Sequence, residues 1–521
     1  MPERAHLIGV DVGTYSAKGV LVHSDGTIKA TATSEYALSI PRPGWAEHDA
    51  ETIWWGSFVR IVRTLLEQSG VAASEVAAVG CSAIGLTMLP VDADGNPLRP
   101  SILYGIDTRA SREIEYLTKE LGNDAIVANS GSPLSANSVG PKILWFRNHE
   151  PELFARTHKV LTASSYLGLK LTGEFVIDEY SAQGFAPMFD VTQRAWNPAM
   201  TEPICSLELL PGLHPTTDVI GTVTAAAAGE TGLVAGTPVI AGTVDAAAEA
   251  ISIGATAPGE TMLMLGTTAF ITQVLGERRR HGSLWSSRYL VEGTYALSAG
   301  MATSAALTRW FKDNFAGAEQ LIEERDGTSA YQQLAEQASE VPVGSEGLIV
   351  LPYFSGERAP IHDARARGTI TGLTLSHTRK HVYRALLEGV AYAIRHNLEV
   401  MAEADAIPAR LIAVGGGAKN QVWLHIIADC CNQRVDVPAQ TIGASFGDAY
   451  LAGIGAGIFR GFGELRRNWI TLGRTIEPDE RNHSLYGPYY EIYRRCYSAL
   501  KAEMHDLADL QAGEGAVSPP A

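Results

Sequence analysis

Apolar residues from Leu7 to Val10 break at Asp11-Val-Gly-Thr14, resume from Ala17 to Val22 and end at Asp25-Gly26. This pattern predicts strand, tight polar turn, strand and hairpin turn. Glu51 to Gln68 carries apolar residues at helical spacing, and Val76 to Cys81 is the short apolar run of a buried strand. Helix and strand alternate onward, so the fold class is α/β. The opening device then recurs. Glu260 to Leu265 is a strand that breaks at Gly266-Thr267-Thr268 and resumes from Ala269 to Val274. A strand-Gly-Thr-strand hairpin repeated some 250 residues on predicts two related halves, each with its own phosphate turn. The junction falls near 245–260, where Gly242-Thr-Val-Asp245 leads into an Ala-rich helix and then Pro258-Gly259, giving domains 1–250 and 251–521.

The second half continues with a strand at Gly347 to Pro352, a helix at His381 to Met401, and a strand at Leu411 to Val414 that runs into Gly415-Gly416-Gly417. A helix from Gln421 to Cys431, a strand from Arg434 to Val437 and a small-residue helix from Gly443 to Gly457 follow. The last of these is suited to close packing against a backbone or ligand. The tail after Leu510 is expected to fray.

Length supports the two-half reading, since 521 residues exceed the roughly 250–300 at which one core stops growing. Charge narrows the partners. With 41 Lys and Arg against 57 Asp and Glu, the net charge of -16 repels nucleic acid and anionic membrane surfaces. No stretch approaches the ~20 apolar residues of a membrane span, and the polar Met1 to His6 lacks a signal-peptide layout. Five cysteines, Cys81, Cys205, Cys430, Cys431 and Cys496, have neither metal nor redox spacing, and the 14 histidines form no HExxH. A cytoplasmic setting is expected.

Candidate chemistry sits at the turns. Asp11 at a strand end can hold Mg²⁺, and Gly13 lets a phosphate approach the backbone; turn formation alone also explains both. Gly266, Thr267 and Thr268 offer a second set of small residues and hydroxyl donors. Gly415, Gly416 and Gly417 form either a tight strand–helix connection or a bare-backbone platform for a flat group or phosphate. Asp245 is read either as a helix cap or as a carboxylate general base.

These residues resemble the FGGY carbohydrate kinases, which include xylulokinase, ribulokinase, gluconokinase and glycerol kinase, over roughly residues 6 to 500. Asp11-Val-Gly-Thr14 is similar to the first phosphate motif of that family. Gly242-Thr-Val-Asp245 is similar to the segment bearing the catalytic aspartate, Leu265-Gly-Thr-Thr268 to the second phosphate motif, and Gly415-Gly-Gly417 with Asn420 to the adenosine motif. Lys142-Ile-Leu-Trp145-Phe-Arg-Asn-His149 resembles the core of one family signature. Gly368-Thr-Ile-Thr-Gly372-Leu with His381-Val-Tyr-Arg-Ala385 and Glu388 resembles the other.

The resemblance implies two ribonuclease-H-like domains of the actin, hexokinase and chaperone-ATPase type flanking a central cleft, and ATP with Mg²⁺ as cofactors. It also implies phosphorylation of a ketopentose hydroxyl with Asp245 as base, Asp11 on the metal, and Gly13 and Thr14 on phosphate. The expected sugar-facing residues are Gly85, Leu86, Tyr104, Asp107, Asn137 and Asp245. Gly85 and Leu86 stand where xylulokinases usually carry Met-His and glycerol kinases Arg-Glu, so the expected pocket is roomier or more apolar. Asp107 and Arg109 contact substrate or pair with each other, and Glu357 and Arg358 read as an ion pair. The alternatives are a kinase for another polyol, a tetrulose or a deoxy-ketose, and an actin-like regulatory or binding protein that needs no sugar pocket. Expected partners are sugar and ATP, with homodimer formation left open.

Overall fold

A computed structural model describes residues 5–440 and 442–514 of the chain. The opening pattern folds as read. Strand His6–Val12 pairs antiparallel with Ser16–His23, which pairs with Ile28–Glu35, and His6–Val12 runs parallel to Val76–Ala83. Pro238–Ile240, Val219–Thr222 and the short strand Thr243–Val244 extend the sheet beyond Val76–Ala83. Helix Gly56–Ser69 covers one face, burying Phe58, Ile61, Val62 and Leu65 against strand residues such as Val10 and Leu21. The helical stretch read from Glu51 begins with a wide π-helical turn, Ala50–Trp55, which brings Trp54 and Trp55 into the same core.

The second unit repeats the device. Glu260–Leu265 pairs antiparallel with Ala269–Leu275 and parallel with Arg410–Val414. Arg410–Val414 in turn runs parallel to Val435–Pro438, and Leu472–Ile476 closes the edge antiparallel. The predicted helices at 381–401 and 421–431 are Arg379–Glu403 and Gln421–Cys431. The molecule is thus a two-unit α/β protein whose sheets share one local topology.

Two boundaries differ from the sequence reading. The first unit comprises 1–256, 287–295 and 442–471, and the second holds the remainder. Helix Ala444–Gly455, far along the chain, therefore belongs to the first unit, where it packs on His6–Val12, Val76–Ala83 and helix Asp245–Ser252. Glycines make this possible by bringing backbones together. A Cβ on Gly9 would lie 1.8 Å from the Ser445 carbonyl oxygen, one on Gly80 2.4 Å from that of Asp448, and one on Gly447 2.0 Å from that of Ala248. A contact across more than 430 residues leaves no periodicity to read. The second difference is at the C-terminus, where one helix, Glu480–Glu514, continues through Leu510; the rest of the tail expected to fray, 515–521, lies outside the described residues. Among the described residues no helix is long and apolar enough to cross a membrane.

Candidate functional site

In the first unit, strand ends and glycine turns gather four carboxylates. Asp11 sits near the end of His6–Val12, and Asp245 opens helix Asp245–Ser252 directly after Thr243–Val244. The Asp245 carboxylate accepts from the Ala246 N–H at 2.7 Å and from the Gly85 N–H. Burial pushes its carboxyl up to about 6, against those two donors. Asp11 is raised well above the carboxylate range by burial and then by the charge of Asp245, with the Ser82 hydroxyl opposing. Glu249, one helical turn after Asp245, is raised to about 7 by burial.

Asp448, on the small-residue helix, is the member that sequence reasoning missed. It is fully buried and lies against Ser82, whose Oγ is 2.7 Å from Asp448 Oδ2 and 3.1 Å from Asp11 Oδ1. The single Ser82 hydroxyl proton is divided between two carboxylates, which leaves each with less than a full hydrogen bond against its neighbour's charge. That agrees with the upward direction for Asp448, driven by burial and then by Asp11. The available signal was a lone acid inside Ala444-Ser-Phe-Gly-Asp448-Ala, an apolar run in which a carboxylate needs a buried partner.

The other expected residues of this unit fall into two groups. Gly13 forms the turn, its N–H donating to the Ser16 carbonyl and its own carbonyl accepting from the Tyr36 hydroxyl, while Thr14 Oγ1 is 3.3 Å from the Tyr104 hydroxyl. Asn137 Oδ1 accepts from the Gly105 N–H at 2.9 Å, which ties it to the Tyr104 loop. Gly85 is open: a Cβ there would meet only the Asp245 carboxylate at 3.7 Å and Val244 at 4.0 Å. Leu86 has φ 59°, a costly left-handed conformation for a leucine, and its side chain covers Gly184, where a Cβ would lie 1.9 Å from Leu86 Cδ2.

Asp107 departs from the expectation of a sugar contact. Its side chain is fully buried, accepting from Arg109 at 2.7 Å and from the Ala46 N–H at 2.7 Å, so its oxygens are already taken by the protein. Arg109 also lies 3.8 Å over the Trp45 ring and bonds Glu47, which makes the pair a brace. Lys142 of the signature segment is buried near this brace, and burial lowers its ammonium to about 7.

In the second unit the turn glycines border a cavity of about 1240 Å³ lined by Gly266, Thr267, Trp310, Tyr331, Gly416, Gly417 and Asn420, among others. The carbonyls of Gly266 and Thr267 receive the first N–H groups of helix Ala305–Phe315. The three glycines of 415–417 do different things. A Cβ on Gly415 would lie 2.7 Å from the Leu265 carbonyl oxygen, where φ is also +88°, and one on Gly417 2.8 Å from Leu265 and Trp423. A Cβ on Gly416 would meet nothing within 4 Å, so this residue presents bare backbone to open space. Asn420 caps helix Gln421–Cys431 by accepting from the Trp423 N–H. Thr268 and Gly415 are not among the cavity's lining residues. Glu357, read as an ion-pair partner of Arg358, instead accepts from the backbone N–H groups of Ala302 and Arg358.

With both glycine-framed sites described, comparison with known proteins decides the family. Residues 6–252 match the N-terminal domain, and residues 261–456 the C-terminal domain, of the FGGY family of carbohydrate kinases. The chain belongs to this family. It is 30% identical over 498 residues to the xylulose kinase of Escherichia coli (strain K12), covering 95% of this chain and 99% of the relative. The xylulose kinase of Bacillus subtilis (strain 168) is 29% identical over 95% of this chain and 97% of its own. The crystal structure of xylulose kinase from Rhodospirillum rubrum superposes with a TM-score of 0.86 at 33% identity, covering 96% of this chain and all of the other. As an FGGY carbohydrate kinase the protein is a phosphotransferase with a sugar hydroxyl as acceptor, and ATP is the phosphoryl donor that such a kinase uses.

Proposed function

We propose that this FGGY kinase phosphorylates a hydroxyl of a pentulose related to xylulose, with Asp245 accepting the hydroxyl proton. The observation that carries the reading is the Asp245 carboxylate, half-buried, oriented by two backbone N–H groups and bordered by the side-chain-free Gly85. A carboxyl raised to about 6 is ionised at neutral pH, yet is a better proton acceptor than an ordinary aspartate. The xylulose kinases to which the chain is similar support the pentulose class.

In this reading the first unit, roughly the 1–250 half, holds the sugar through Tyr104, Asn137 and the surface at Gly85 and Leu86. The second, roughly 251–521, holds the nucleotide. Thr267, Gly266 and the neighbouring Thr268 serve the phosphates, and Gly416 with Gly417 and Asn420 the adenosine. Gly13 and Thr14 form the first phosphate turn.

Asp11 would hold Mg²⁺, directly or through water. A carboxylate oxygen suits a hard cation, and the cost of keeping Asp11 charged falls once a cation is beside it. Among the described residues no group of three or more His, Cys, Asp or Glu is placed to cage a metal. When bound, Mg²⁺ neutralises charge on the phosphates during transfer.

The test is coupled ADP release over pentuloses, deoxypentuloses, tetruloses, hexuloses and polyols. A ketopentose is expected among the best acceptors. Because Gly85 and Leu86 offer no polar side chain, D-xylulose should not exceed every other ketose by more than about 100-fold in kcat/KM. If no sugar raises ADP release above the basal rate, the reading fails.

A further inference from the structure

Asp178 is a carboxylate that neither the phosphate turns nor the sugar-facing residues account for. It ends strand Val176–Asp178 and caps helix Glu179–Ala182 by accepting from the Ser181 N–H at 3.3 Å. A cap requires no more than that bond, and capping side chains ordinarily stay wet. Asp178 is instead 1% exposed, and its Oδ2 also accepts from the hydroxyls of Thr216 and Thr243, both at 3.0 Å. Oδ1 is buried, and the Ser181 hydroxyl is the polar side chain beside the carboxylate that no other bond occupies. Burial raises the carboxyl to about 6, so three donors converge on one oxygen of a group that is costly to enclose.

Thr243 stands two residues before Asp245, on the strand Thr243–Val244. A strand of two residues is held by few ladder bonds, here to Ser82 and Ala83. Gly242, at φ 74°, brings it close on one side, where a Cβ would lie 2.2 Å from the Cys81 carbonyl oxygen. A further tether is the Thr243 hydroxyl on Asp178, which belongs to a separate two-stranded sheet, Val176–Asp178 with Gly212–His214.

We infer that Asp178 is a positioning residue for phosphoryl transfer: through Thr243 it fixes the short strand that sets where the Asp245 carboxylate stands. The inference rests on Asp245 being the base. A base displaced by about 1 Å loses on the order of 100-fold in rate even when both substrates still bind, so the effect belongs in kcat.

Thr243→Val tests it, since the variant keeps the shape and removes one hydroxyl. Its kcat is expected to fall about 10- to 100-fold, with KM for ATP and the thermal midpoint little changed. Thr243→Ser, which keeps a hydroxyl, and Asp178→Asn, which keeps an acceptor oxygen for all three donors and can turn its amide to the Ser181 hydroxyl, should retain most of the rate. Asp178→Ala, if it folds, should resemble Thr243→Val. The inference is overturned if Asp245→Asn is inactive while Thr243→Val turns over within about threefold of the parent. It is overturned equally if, in Thr243→Val, kcat and the thermal midpoint fall while both KM values rise, and Thr243→Ser restores none of them. An active Asp245→Asn would remove the base assignment itself and this inference with it.

Discussion

At the scale of single residues the same amino acid has different roles at neighbouring positions. Gly415 and Gly417 are glycine because Leu265 and Trp423 leave no room for a Cβ, whereas Gly416 faces open space beside the cavity. Gly416→Val should therefore fold, with a thermal midpoint near the parent's, and raise KM for ATP while leaving KM for the sugar in place. An unchanged KM for ATP would take Gly416 out of the nucleotide site. Asp245→Asn keeps the size of the side chain and an acceptor oxygen for the Ala246 N–H. It removes the proton acceptor, so kcat should fall by about 10²–10⁴ with the thermal midpoint nearly unchanged. In the parent enzyme the protonated base is inactive, so kcat/KM should decline on acidification through about pH 6, the value to which burial lifts Asp245 in the free enzyme. The placement of Asp11 and Gly13 at a strand-ending turn, Asp245 at a helix start and Gly416 after a strand was legible because turn chemistry marks such positions. Asp448 and Ser82 were not, because a buried contact partner 366 positions away has no sequence signature.

At the scale of elements, strand ends and helix starts do the positioning. His6–Val12 delivers Asp11, Thr243–Val244 delivers Asp245, and helix Ala444–Gly455 lies close enough to both neighbouring strands to deliver Asp448. That closeness depends on Gly9 and Gly80. Gly9→Ala would drive a methyl group into the Ser445 carbonyl at 1.8 Å, a backbone atom that cannot rotate away. The helix would have to shift, and urea unfolding should show a loss of about 1–3 kcal/mol or more. A change under about 0.5 kcal/mol would mean that the helix seats elsewhere. The sequence reading identified this helix and its small residues correctly but placed it with its chain neighbours. Periodicity reports which face of an element is buried, not which sheet it is buried against.

For the whole molecule, the buried carboxyls set the response of stability to pH. Asp178 and Asp245 are raised to about 6, and Glu249 and Glu357 to about 7, in each case by burial first. Raised carboxyls bind protons more tightly in the folded state than in the unfolded one. Their stabilisation is thus complete below the ordinary carboxylate range near 4 and is lost as pH rises through about 7. The thermal midpoint should accordingly be higher at pH 5.5 than at pH 8. Glu357 lies outside the first unit's carboxylate cluster, and its Oε1 acceptor survives in glutamine. Glu357→Gln should therefore fold and show a smaller drop between those two pH values. An equal drop in the variant would show that Glu357 is not a proton-binding group in that range.

The sequence by itself determined the class, the duplicated strand-turn-strand device and the order of the motifs. These are local facts: apolar periodicity fixes elements, and Gly, Thr and Asp at strand ends fix turns that can meet a phosphate. Tertiary structure decided three other things. It decided that residues 442–471 join the first unit, that Asp107 is spent on Arg109 and Ala46, and that Asp178 is tied to the strand before Asp245. Each depends on which polar groups are enclosed together away from water. That is settled only when distant segments pack, since a carboxylate's partners and proton affinity come from its burial and neighbours rather than from its place in the chain.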